Sequence, residues 1–249
     1  CPIMIPINGG HMSGLVESAV AILSASEKRL EVVSSNISNV STAGYKRRIS
    51  FADLVANAGT GSDAVGALLT RTRADLSQGK LNATGNPLDL AISGDGFFQL
   101  RDGTETIYSR QGQFKLAADG TVVTPQGFVL QQAGGGDLVL DRANVKILAD
   151  GTILDGTRPV GRIGLFAPSS AGAVQPLDGS MFHFSDGAAN EVADPQLRQG
   201  MTETSNVSVG DEMVTMMASL RQAESGSRLM QTYDDLLGRA ITAFGQAGQ

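Results

Sequence analysis

Tryptophan is absent from this chain, cysteine occurs once, histidine twice, and aromatic residues make up only 5% of the sequence. A lone cysteine, Cys1, excludes an intramolecular disulfide framework and a cysteine-rich metal site. Scarce aromatics beside 31 glycines point to many turns and a lightly packed β region rather than a dense enzyme core. No apolar run approaches the roughly 20 residues needed to cross a bilayer, so no membrane insertion is expected. The net charge is −6 and the longest basic run is Lys46, Arg47 and Arg48, which disfavours a nucleic-acid partner.

Catalytic patterns are equally thin. Neither G-x-S-x-G nor H-E-x-x-H occurs, and His183 is the single possible base for a Ser-His-Asp triad outside the first residues. It lies in MFHFS, alternating with Phe182 and Phe184, and reads as a strand-surface histidine. The Asp-Gly pairs invite a calcium reading, but none sits in D-x-[DN]-x-[DN]-G with a distal glutamate. SGDGFF at 93–98 lacks the following helix that a phosphate site needs and reads as a bend between strands. No catalytic residue, metal or cofactor is expected, and the paired carboxylates Asp211/Glu212 and Asp234/Asp235 read as solvated helix surface.

At the N-terminus, GGHM at 9–12 looks like a cloning junction ahead of a native Met12, so residues 1–11 are set aside. No basic segment followed by an apolar run of about 7–15 residues is found, so no Sec signal is read.

Two long amphipathic patterns bracket the chain. In the first, Leu15, Ala19, Ile22, Ser26, Leu30, Val33, Ile37 and Val40 recur at spacings of three and four, with Gly44 as the expected helix stop. The second runs through Met213, Met216, Leu220, Ala223, Met230, Leu237, Ile241 and Phe244, interrupted at Ser227 and Asp234. Ser208 and Asp211 signal its start near Val209. Between them the period falls to two: Leu88, Leu90 and Ile92 alternate with Asp89, Ala91 and Ser93, and short apolar runs follow. Asp-Gly pairs at 95, 102, 119, 150, 155, 178 and 186 supply the positive φ that tight turns require. KLAADGTVV (115–123) and KILADGTIL (146–154) read as two versions of one strand–turn–strand unit.

The expected fold is α+β, with long N- and C-terminal helices forming a coiled-coil layer, plus a central all-β domain of hairpins. The expected divisions are a helical domain of 12–55 and 200–249, a linker or extended region of 56–84 containing the glycine-rich tract 56–66, and a β domain of 85–199. On physical grounds two functions remain open: an assembly subunit joined through its terminal helices, or a monomeric β-rich binding domain. Concentration-dependent helicity would favour the first.

SSNISNVSTAGYKRR (34–48) resembles the N-terminal motif of flagellar axial proteins, the rod and hook subunits. GNPLDLAISGDGFFQL (85–100), YSRQGQFKLAADGTVVTPQGFVL (108–130) and the stretch 199–240 resemble further parts of that family, in order. Ser35 and Ser41 stand where the family usually has asparagine. The resemblance implies a structural subunit of the bacterial flagellar basal-body rod, exported by the flagellar type III apparatus and partnered by itself and other rod proteins in the periplasm-spanning rod. The short segment 47–84 between Lys46 and Gly85 is more like a proximal-rod member; TETSNVSV (202–209) is closer to distal-rod wording. The residues expected to pack between subunits are Leu15, Ile22, Leu30, Val33, Ile37, Val40, Gly44, Met213, Met216, Leu220, Met230, Leu237 and Ile241. Asn36, Asn39 and Asn206 are expected to fix register.

Overall fold

A computed structural model describes residues 10–54, 68–185 and 189–246; the tract 56–66 and the Asp-Gly pair at 186 lie outside them, as do the side chains of Leu15 and Phe244. The chain divides into two compact units. One contains residues up to Ser34, 50–72 and those from Gly210 onward; the other contains Ser35–Ile49 and Arg73–Val209.

In chain order, α1 (Gly10–Ser38) is followed by β1 (Arg48–Leu54) and β2 (Leu68–Ala74), which pair with each other. Then come β3 (Leu81–Ala83), β4 (Leu90–Ile92), β5 (Phe97–Asp102), β6 (Glu105–Ser109), β7 (Lys115–Leu116), β8 (Val122–Val123) and β9 (Val129–Leu130). They continue with β10 (Lys146–Ile147), β11 (Thr152–Asp155), β12 (Arg158–Arg162), β13 (Leu165–Pro168), β14 (Val174–Pro176) and β15 (Met181–Phe184). β16 (Ala189–Glu191), β17 (Leu197–Gln199) and β18 (Met201–Glu203) precede α2 (Val209–Gln246). Among the described residues, the region 56–84, expected as linker or extended chain, holds β2 and β3, and β3 pairs with β18.

Period two decides how the largest sheet is packed. On β5, Phe98 and Leu100 enter one core with Leu130, Ile153, Ile163 and Leu165. Phe97 faces the other way, into a smaller core with Tyr108, Val174, Phe182 and Phe184. The rings of Phe97 and Phe182 meet edge to face at 5.4 Å, an arrangement that aromatic quadrupoles favour, and Tyr108 stacks on Phe184 at 3.9 Å. His183 is exposed between its two buried phenylalanine neighbours.

The two repeated hairpins share one geometry. Lys115 pairs with Val123 and Lys146 with Leu154, the same offset in each. Gly120 and Gly151 have φ of 85° and 84°. In each turn the preceding aspartate, Asp119 or Asp150, accepts from both the amide and the hydroxyl of the following threonine, Thr121 or Thr152. Those bonds hold both carboxyls below their ordinary range.

Helix α1 stops at Ser38, short of the stop expected at Gly44. At its end the Ser35 carbonyl accepts from both the Asn39 amide, at 3.1 Å, and the Asn39 side chain, at 2.9 Å. Tighter i→i+3 bonds from Asn39, Val40, Thr42 and Tyr45 then carry the chain round to Gly44 and beyond. Gly44 has φ +69°, and a Cβ there would lie 2.3 Å from the main chain of Arg110 and Gln111.

Candidate assembly surface and buried ionic hub

Two sets of residues stand out, one buried and polar, the other exposed and apolar. The first is built on the segment leaving α1. The Asn36 side chain is fully buried; its Oδ1 accepts from Tyr45 Oη at 3.0 Å and from the Arg48 amide at 2.8 Å, while Nδ2 donates to the Arg48 carbonyl at 2.9 Å. Asn39 also accepts from Thr42 Oγ1. Asn206 accepts from the Arg47 amide at 2.7 Å and donates to the carbonyls of Asp75 and Ser77. The three asparagines expected to set register between subunits are thus engaged within one chain.

Below them lies an ionic cluster that the sequence reading missed. Glu203, whose side chain has no exposure, accepts from Lys46 Nζ at 2.6 Å and from the Gly79 amide at 2.7 Å. Its other oxygen lies 3.5 Å from Arg110 Nη1. Lys46 is 1% exposed and Arg110 3%. The Arg110 guanidinium also sits over the Phe97 ring, 5.1 Å from its centroid, a cation–π contact. Burial pulls the Lys46 ammonium below its ordinary pKa, with Glu203 opposing, and acts likewise on Arg110. Local patterning could not find this set, because Lys46 and Glu203 are 157 residues apart.

The second set is on α2. Its inward face runs through Glu212, Met216, Ser219, Ala223, Gly226, Met230, Tyr233 and Leu237, all buried or half-buried at three-four spacing. That face passes through Ser219, Gly226 and Tyr233, one position before Leu220, Ser227 and Asp234. It also buries Glu212, expected on the solvated side; Asp211, Asp234 and Asp235 are exposed. A Cβ on Gly226 would lie 3.1 Å from Leu23 and 3.2 Å from Ile22, and Arg29 Nη1 donates to Gln222 Oε1 at 2.7 Å. As α1 numbering rises that of α2 falls, so the helices run antiparallel over this stretch.

Outside that face α2 carries apolar side chains in the open: Met213 is 50% exposed, Met217 58%, Leu220 48% and Ile241 70%. Of the remaining expected packing residues, Val33 and Gly44 are buried, and Ile22, Leu30, Ile37, Val40, Met216, Met230 and Leu237 are half-buried. Among the described residues no helix is long and apolar enough to cross a membrane.

An α+β chain with its last helix lined with uncovered apolar side chains has the features of an assembly subunit. This one belongs to the flagellar basal-body rod protein family. Three family models match it in chain order: "flagella basal body rod protein" over residues 17–46, "flagellar hook protein FlgE/F/G D1 domain" over 91–154, and "flagellar basal body rod FlgEFG protein C-terminal" over 198–243. It is 31% identical to the flagellar basal-body rod protein FlgG of Bacillus subtilis, over 86% of this chain and 93% of that protein. It is 30% identical to FlgF of Caulobacter vibrioides, covering 88% and 93% of the two chains, and 31% identical to FlgF of Salmonella typhimurium, covering 92% and 97%. The chain is accordingly a structural rod subunit, FlgF-like or FlgG-like.

Proposed function

We propose that this protein is a subunit of the proximal rod, exported by the flagellar type III apparatus, polymerising with itself and with other rod proteins, and transmitting torque across the periplasm. In this reading the terminal helices, within 12–55 and 200–249, form a coiled-coil inner layer. The chain 56–84 leads from it to a β domain of 85–199 lying outside. The observation that carries the proposal is the exposed row Met213, Met217 and Leu220 on α2: uncovered apolar surface on a helix is stabilised when a neighbouring helix removes it from water.

The short segment 47–84 supports the proximal position. TETSNVSV resembles distal-rod wording; within it Glu203 holds Lys46 and Asn206 holds the Arg47 amide, both contacts inside one chain. Basal bodies purified from a deletion strain test the position by where the rod stops: a stub ending before the distal rod supports it, and an intact proximal rod contradicts it. Leu220→Asp tests the packing. A charge in an apolar seam is costly, so cells carrying it are expected to be non-motile, while the purified subunit melts as the wild type does. Normal motility would refute the role given to this face.

A further inference from the structure

Glu203 is unusual less for being buried than for how many separate pieces of chain meet on it. Its carboxylate takes the Lys46 ammonium and the Gly79 amide, and approaches Arg110. Its main-chain carbonyl accepts from the Gly44 amide at 2.8 Å. Lys46 also donates to the Ser77 carbonyl at 2.8 Å, which Asn206 binds as well.

The residues around it behave alike. Strands β17 and β18 pair with β4 and β3; the Gly200 carbonyl accepts from Thr84 and Gly85, and Thr204 donates to Lys80. Asn206 holds the Arg47 amide. Thus the chain leaving α1, the Asp75–Gly85 stretch and Arg110 all depend on one C-terminal stretch, 196–206, reached only after most of the sequence has been laid down.

The charge inventory sharpens the point. Two buried cations share one buried carboxylate, with Asp95 also acting on Arg110 and Asp75 on Lys46; Glu203 Oε2 and Arg110 Nε and Nη1 have no hydrogen-bond partner, so Arg110 is held by charge and by the Phe97 ring. Removing Lys46 leaves a balanced pair. Removing the Glu203 charge leaves two like charges together in the interior, the more damaging change.

We propose that Glu203 is an ionic latch: docking of residues 196–206 through its carboxylate orders the Gly44–Arg48 and Ser77–Gly79 segments as one cooperative unit, which opens and closes together while the β5–β6 ladder stays folded. The segment leaving α1 and the segment entering α2 are then both set by a single group, and neither is ordered in a chain whose C-terminal stretch is undocked. Long-range closure of this kind comes late, because loop entropy must be overcome before its contacts can form.

Native-state hydrogen exchange on the full chain tests the latch, with the amides of Gly44, Arg47, Gly79, Thr84 and Thr204 followed through rising sub-denaturing urea. In the wild type these five are expected to open with one common free energy and one denaturant slope, below that of the β5–β6 ladder. Glu203→Gln is expected to speed all five by about a hundredfold and leave the ladder unchanged, as loss of a buried pair's anion implies. Lys46→Met, which keeps Glu203 balanced by Arg110, is expected to change them far less. The latch is overturned if the five amides open with different slopes in the wild type, a result that needs no variant to fold. It is equally overturned if Glu203→Gln affects Gly44 and Gly79 alone, or if Lys46→Met matches it.

Discussion

The segment leaving α1 and the surface of α2 invert the usual rule of polar outside and apolar inside. Between Ser35 and Arg48 the chain is rich in hydroxyls, amides and cations, yet Asn36, Tyr45 and Lys46 are almost completely buried, with their polar groups met from within. On α2 the apolar Met213, Met217 and Leu220 stand in the open. Polar groups can be buried when every partner is present in the same chain; apolar ones remain exposed where their cover comes from another molecule. In the proposed reading, the contrast separates what the subunit does for its own fold from what it offers to an assembly.

The contrast is broken most severely by Gly44→Ala. A side chain there meets both a positive φ and the main chain of Arg110 and Gln111 at 2.3 Å, which backbone cannot yield cheaply. Urea unfolding is expected to show a loss of at least about 3 kcal/mol. A change within experimental error would mean that the segment is free to move. Asn36→Ala comes next. It strips partners from the Arg48 amide and carbonyl and from Tyr45, so a loss of about 1–3 kcal/mol is expected in the same measurement, with assembly reduced only as stability falls. If stability held while assembly failed, Asn36 would be a contact between subunits.

Asp137→Asn sharpens the comparison from the solvent side and has the smallest effect. Arg101, with Gln131, holds the Asp137 carboxyl below its ordinary value of 3.8. A depressed folded pKa means that the contribution is present above the unfolded value and lost as pH falls through the folded one. The wild type is therefore expected to lose more stability than Asp137→Asn between about pH 5 and pH 2, and parallel acid-unfolding curves would contradict this. Because the pair is partly exposed, the difference is expected to be small and to shrink with salt.

Where structure is local, the sequence was enough. The Asp119-Gly120 and Asp150-Gly151 hairpins, the alternation through β4 and the two long helices follow from spacing alone. The inward face of α2 was displaced by one position because Ser219 and Gly226, being small, carry no hydrophobic signal, although their size is what lets helices approach. The hub was invisible for a different reason. Lys46 and Arg110 look like ordinary surface cations until β18 brings Glu203 to them, and no local pattern encodes a partner that distant in the chain. Asn36, Asn39 and Asn206, expected to fix register between subunits, have hydrogen-bond partners in their own chain.

The central claim, that the open face of α2 is the part of the molecule completed by its neighbours, is tested most directly by thiol labelling at Met217→Cys with Cys1 replaced by serine. Rapid maleimide labelling is expected in the purified subunit and strong protection in isolated basal bodies. Equal labelling in both states would contradict it.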